Sequence, residues 1–261
     1  MFEFIDKLSE LLPGYMLVFA RISAMTMTLP VISSPVISSK IRILFAFILT
    51  FIIFPTIGYP SSVIGSLPEL VFSVCREVLI GLIIGFGCQF IFEGFVMAGG
   101  FVGRQMGLGL ANVMDPNSHQ QVPIVGQFWM FLVITYFIVV NGHHILIETL
   151  FKNFTLIPLQ GCTFTPALGR SIVRSGSTAF DIAIRFAGPT MIFLLLVEAA
   201  VALSLRVMPQ MNAFFVTLPL RIGCGIFALI SSLAIFQLLF DSVYEDLFTY
   251  LGKIMLQLKG T

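Results

Sequence analysis

Six apolar runs, each near the length of a bilayer crossing, follow one another along this chain at 11–32, 41–59, 70–97, 122–140, 177–205 and 214–240. A helix needs roughly 20 apolar residues to cross the hydrocarbon core of a membrane. The pattern therefore predicts an all-α, polytopic chain of about six long apolar helices, with the polar residues 241–261 forming one further helical tail. Helix-breaking residues fall between runs, at Ser33-Ser34-Pro35, Tyr59-Pro60-Ser61-Ser62 and Arg206-Val207-Met208-Pro209. Pro55 and Pro189 fall inside runs and predict kinks or helix ends. Hydrophobic residues make up 57% of the chain and charged ones only 10%, whereas soluble domains carry roughly a quarter charged. A membrane protein follows, and a net charge of +1 offers nothing for nucleic acid to bind.

Charges lodged within the runs are the oddity. Arg21, Arg76, Glu77, Glu93, Asp181, Arg185, Glu198 and Arg221 all lie in apolar segments, and each facing lipid at a helix centre would cost about 2.5 to 3.5 kcal/mol. Asp181 and Arg185 are spaced to pair along one helix face. Glu77 shares a face with Gly81, Gly85 and Cys88, and small residues at that spacing mark a helix-contact surface. Three readings stand: charges satisfied by neighbouring helices, an ion relay through Glu77, Glu93 and Glu198, or charges facing a water path or a partner subunit. Loop lysines and arginines divide six against four between the two sides, so orientation is only weakly marked.

Chemistry of its own is not expected of this chain. His143 and His144 are adjacent and so splay apart on a helix, and no nucleophile-elbow, zinc, phosphate-loop or dinucleotide motif occurs. Cys75, Cys88, Cys162 and Cys224 lie far apart and read as packed thiols. No catalytic residue, cofactor or metal is expected. The acidic start, with Glu3, Asp6 and Glu10 against Lys7, does not resemble a cleaved leader.

The stretch 99–123 is denser in special residues than a connector requires. Five glycines occur in 99–109, and Asp115-Pro116-Asn117-Ser118 is turn chemistry. Gly107 and Gly109 offer hinge freedom, while Met106, Leu108, Leu110, Val113 and Met114 offer an adaptable apolar surface. A glycine-rich helix end followed by a surface turn is the plainer alternative.

Three motifs then occur in order. Gly103-Arg104-Gln105-Met106-Gly107-Leu108-Gly109-Leu110-Ala111-Asn112 precedes Asp115-Pro116; Asn141-Gly142-His143-His144 precedes Phe154 and Pro158; and Arg206-Val207-Met208-Pro209-Gln210-Met211-Asn212-Ala213-Phe214 follows. Together they resemble the FliR family of bacterial flagellar export-gate proteins, over essentially the whole chain. The Pro-Gln-x-Asn motif is the most specific piece and is shared with virulence-associated type III secretion homologues. The Asn-Gly-His-His segment looks more like the flagellar branch.

The resemblance implies a structural and gating subunit of a channel that passes unfolded flagellar proteins across the bacterial inner membrane at the basal body. It implies a helical assembly with FliP-like and FliQ-like subunits, and FlhB-like and FlhA-like proteins nearby. It also implies a FliP-like part at 1–175, a FliQ-like hairpin and tail at 176–261, and a plug formed by the segment 106–123. Its helices need not cross the bilayer as ordinary spans: hydrophobic runs would pack mainly on sister subunits, which would cover the buried charges. Arg206, Pro209, Gln210 and Asn212 are expected to line either the pore's narrow end or a subunit seam. The alternative function is a stand-alone secondary transporter using intramembrane carboxylates, although no repeat relates its halves.

Overall fold

The computed structural model describes residues 2–34, 37–57, 66–109, 123–161, 166–207 and 212–259. Among them are seven helices and no strand: α1 (Phe2–Thr28), α2 (Ser39–Ile57), α3 (Leu67–Gln105), α4 (Ile124–Val139), α5 (Gly142–Leu156), α6 (Pro166–Val207) and α7 (Ala213–Lys259). Five are long and apolar enough to cross a membrane, and α4 with α5, a pair bent by 75°, would make a sixth if counted as one span. The all-α, polytopic character expected from the runs is what the chain adopts.

The helices depart from the run pattern at several points. α6 begins at Pro166, so most of the polar stretch before residue 177 forms its first turns, and the proline sits where a missing N–H costs nothing. The helix then continues through Pro189. The expected separate tail is the continuation of α7, one helix of 47 residues. Between α4 and α5, Asn141 takes the left-handed conformation at φ 59°, which asparagine tolerates better than most residues. Gly142 follows because a Cβ there would enter the Phe137 ring.

The contacts divide into two units. The first comprises 1–89, 137–175 and 247–261. Here α1 packs on α2, with Tyr15 edge-on to Phe47 and Phe54 at 5.9 and 5.4 Å. Leu17, Ile22 and Met25 of α1, Ile53 of α2, and Ile80 and Ile84 of α3 are almost wholly buried. The end of α7 adds Leu251, Ile254 and Leu258 to the buried set. Burial pushes the Tyr250 phenol up to about 12, so it stays an O–H donor and reaches the Ser171 carbonyl at 3.0 Å.

The second unit comprises 90–136 and 176–246. Its centre is aromatic: Phe95 and Phe186 meet edge-on at 4.5 Å, and Trp129 lies 5.5 Å from Phe236. Such pairs add about 0.5 to 1.5 kcal/mol each beyond simple burial. In the first half of α7 many large apolar side chains are bare, with Phe215 75% and Phe227 65% exposed. Apolar surface on this scale is stable only under lipid or another protein. Both units are discontinuous in sequence and are distinct from the contiguous parts 1–175 and 176–261.

Candidate functional site

The segment 106–123 is entered from α3 and left through α4, so the geometry of its base comes first. α3 ends on a glycine cap: Gly107 has φ 84°, its N–H donates to Arg104 O at 3.0 Å, and Leu108 N–H donates to Gly103 O at 3.1 Å. Those two bonds satisfy carbonyls that the helix end would otherwise orphan. Gly107 therefore fixes the helix end, at a position where glycine density suggests hinge freedom. Gly107→Ala should cost about 1 kcal/mol, because a Cβ disfavours this φ, and Gly107→Asn should cost less. Melting temperatures of the detergent-purified chain would rank the two. Gly109 adopts no special φ, and a Cβ added to it would meet only Arg104 Cγ, at 3.8 Å.

On the other side, α4 returns against α3 through a contact of backbones. A Cβ on Gly99 would lie 2.5 Å from Gly126 N, and one on Gly126 would lie 2.7 Å from Val96 O. Real side chains do not approach so closely, so both positions demand glycine. Gly103 and Val125 pack beside this crossing. Residues 99–103 of α3 and 123–126 at the start of α4 are thus held against each other.

Met106 is 1% exposed and fills the space above Gly225 of α7, where a Cβ would strike it. Its neighbour Gln105 donates from Nε2 to Glu198 Oε2 at 3.3 Å. Glu198 Oε1 accepts from Arg221 Nη2, an ion pair between α6 and α7. Arg221 Nε is buried without a hydrogen-bond partner.

The first unit holds a second polar centre. Arg21 and Glu77 are both 0% exposed and pair at 2.5 Å. Arg21 Nη1 donates to Ile157 O at 2.7 Å, and the backbone N–H of Gln160 donates to Glu77 Oε1 at 3.0 Å. The guanidinium lies 4.7 Å over the Phe154 ring. Gly81 and Gly85 let α1 approach this close: a Cβ on Gly81 would lie 2.5 Å from Arg21 O, and one on Gly85 would strike Thr28. The small-residue face of α3 meets a helix of its own chain.

Other expected site residues are dispersed. Asp181 and Arg185 are exposed on α6, and no ion pair joins them among the described residues, correcting the expected pair. Glu93 is half-buried. Arg206 and Asn212 are exposed at the facing ends of α6 and α7. Leu110, Val113, Met114, Asp115, Pro116, Pro209 and Gln210 lie outside the described residues. His143 and His144 lie with rings 4.3 Å apart in the first turn of α5. An apolar cavity of about 200 Å³ beside Pro189 is lined by Trp129, Phe186, Phe193 and Phe227. The Ser231 and Ser232 hydroxyls on its wall are spent on carbonyls of their own helix.

The profile of the family described as bacterial export proteins, family 1, matches residues 12–247. The chain belongs to this family. It is 31% identical over 245 residues to the flagellar biosynthetic protein FliR of Bacillus subtilis (strain 168), covering 92% of this chain and 93% of that one. It is 28% identical to FliR of Escherichia coli (strain K12) over 91% of each chain, and 30% identical to that of Caulobacter vibrioides over 88% of this chain and 92% of that one. As a FliR-family chain it places two of its signature segments, Gly103–Gly109 and the turns flanking Arg206–Phe214, in the same unit.

Two pairings escape a reading of the sequence. Arg21 and Glu77 are visible there as misplaced charges but stand 56 residues apart. Glu198 and Arg221 lie equally far from the centre of 208–211, so folding the last two runs back on each other brings them level.

Proposed function

We propose that this chain is a structural and gating subunit of a bacterial flagellar protein export channel in the inner membrane, without chemistry of its own. In this reading the segment 106–123 seals the idle channel. FliP-like and FliQ-like subunits, with FlhB-like and FlhA-like proteins, cover much of the bare apolar surface of α6 and α7, and lipid covers the rest. The parts 1–175 and 176–261 correspond to a FliP-like part and a FliQ-like hairpin. Unfolded exported proteins are its cargo.

The observation that carries the reading is the base of the segment. A seal must stay shut to ions yet yield to a polypeptide, so it needs a pliable element on a rigid mount. The Gly107 cap and the Gly99 to Gly126 crossing, which hold the end of α3 and the start of α4, support such a mount. Membership of an export-protein family is consistent with such a cargo. A transporter is less well supported, since Glu77 and Glu198 are both committed to arginines and the aromatic cavity presents no free hydroxyl from Ser231 or Ser232.

Deleting 110–120 tests it. Because the deletion leaves the α3 to α4 crossing at Gly99 and Gly126 in place, the complex should assemble at normal levels. Membranes holding it should leak small ions and solutes. Wild-type conductance, with the assembled complex demonstrated, would overturn the sealing role.

A further inference from the structure

We propose that the outward stripe of α6 around Asp181, Arg185 and Gly188 docks a helix of another subunit, one that carries a cation level with Asp181 and a carboxylate level with Arg185. This rests on the place in an assembly given above to the chain.

The two sides of α6 differ sharply. Ile182, Ala183, Phe186, Ala187 and Leu194 point into the second unit and are at most 6% exposed. On the opposite side Asp181, Ile184, Arg185, Gly188, Ile192 and Leu195 fall within a stripe about 100° wide, given 3.6 residues per turn. Ile184 and Ile192 are each 62% exposed, and both charged residues stand bare between and beside them. Among the described residues, Asp181 and Arg185 form no ion pair with each other or with any other group. Nor would a Cβ on Gly188 meet anything there within 4 Å. This glycine differs from Gly99 and Gly126, whose missing side chains make room for a helix of their own chain; its notch is open.

The chemistry of the stripe selects a protein helix over lipid. Acyl chains can satisfy neither charge. Opposite charges in fixed order, one turn and about 6 Å apart along the axis, are a pattern that a second helix matches with a complementary pair at the same spacing. The notch lies a turn beyond Arg185 and lets the two backbones come close, as helices that associate in membranes do. A fluid acyl chain packs a full face as readily as a notched one. Once water is excluded, correct pairs gain strength and like charges set opposite each other repel, so the stripe selects both the partner helix and its register.

Recovery of the other export-complex subunits with the tagged chain in mild detergent tests this, read beside the melting temperature of the chain purified alone. Asp181→Arg combined with Arg185→Asp keeps the composition and the spacing along α6 but reverses the order of the charges. Recovery should fall about tenfold or more, since each charge then faces its like. Gly188→Leu should lower recovery as well, by filling the notch. Neither change should lower the melting temperature of the isolated chain, because these side chains touch nothing of their own chain that would be lost. A benzophenone crosslinker at position 184 should join a different subunit, through a helix bearing the complementary pair. Wild-type recovery with either variant, from a wild-type chain that does retrieve the complex, would overturn the docking surface and leave the assembly reading intact; it is the result that a lipid-covered stripe gives. A melting temperature that falls in step with recovery would make the stripe part of the fold and overturn the proposal too. A crosslink to a second, differently tagged copy of this chain, or to phospholipid alone, would overturn the choice of partner. A wild-type chain that retrieves no other subunit would overturn both readings.

Discussion

Glu77→Ala should leave the chain nearly absent from the membrane. The Arg21 and Glu77 side chains are fully enclosed, and removing one member of a buried pair strands the other charge at a cost of about 3 to 5 kcal/mol. Whole domains are stable by only about 5 to 15 kcal/mol, so the variant sits at the edge of folding. The loss is compounded at Gln160, whose N–H donates to Glu77 from a residue at φ 63°. Arg21→Met combined with Glu77→Met removes both charges and keeps the volume, which often restores stability. Here recovery should be partial, because Ile157 O and Gln160 N–H each lose a partner, worth about 1 to 3 kcal/mol apiece. Steady-state levels of the tagged chain and its melting temperature in detergent should rank wild type, double variant and single variant in that order. A single variant at wild-type abundance would show that the pair contributes little to the fold.

That centre shows what the sequence reveals and what it hides. Hydropathy alone marks α2 and α3, because a run of apolar residues can satisfy its backbone in a membrane only as a helix. The same logic flags Arg21 and Glu77 as needing company. It does not say whose, because the pairing depends on α1 crossing α3 and on the 157–160 turn arriving between them. Spacing along one helix misleads in the other direction: Asp181 and Arg185 are well placed to pair, yet both point outward from α6. Glu198 and Arg221 lie between these cases. Folding the last two runs back on each other makes their meeting a matter of counting, provided charge balance is sought across runs as well as within them.

Glycine is the least legible residue type, because absence of a side chain serves opposite ends. Density in 99–109 suggests freedom, but two of those glycines are constraints: Gly99 for a backbone contact and Gly107 for a left-handed cap. Gly126, outside the dense stretch and inside an apolar run, carries as much of the site as either.

Gly126→Val should abolish the α3 to α4 crossing. Its Cβ would sit 2.7 Å from Val96 O and 3.1 Å from Pro123 Cγ. A carbonyl within a helix cannot rotate away as a side chain can, so the two helices must part along their length. Overpacking a core typically costs about 1 to 3 kcal/mol where side chains can yield; against backbone the upper end or beyond is expected. Parting them also loosens the helices on either side of 106–123, so whatever complex survives should leak as well as accumulate poorly. Gly100 provides the contrast. A Cβ there would have Arg104 Nη1 at 3.6 Å and Pro123 Cβ at 3.8 Å, ordinary contact distances. Gly100→Ala should therefore stabilise α3 by roughly 0.5 to 1 kcal/mol, the usual gain in a helix interior. Melting temperatures moving in opposite directions for these two variants would establish that the crossing at Gly126, and not glycine content, holds the base of the segment together. A Gly126→Val chain as stable as the wild type would mean that α4 does not lie on α3 in this register.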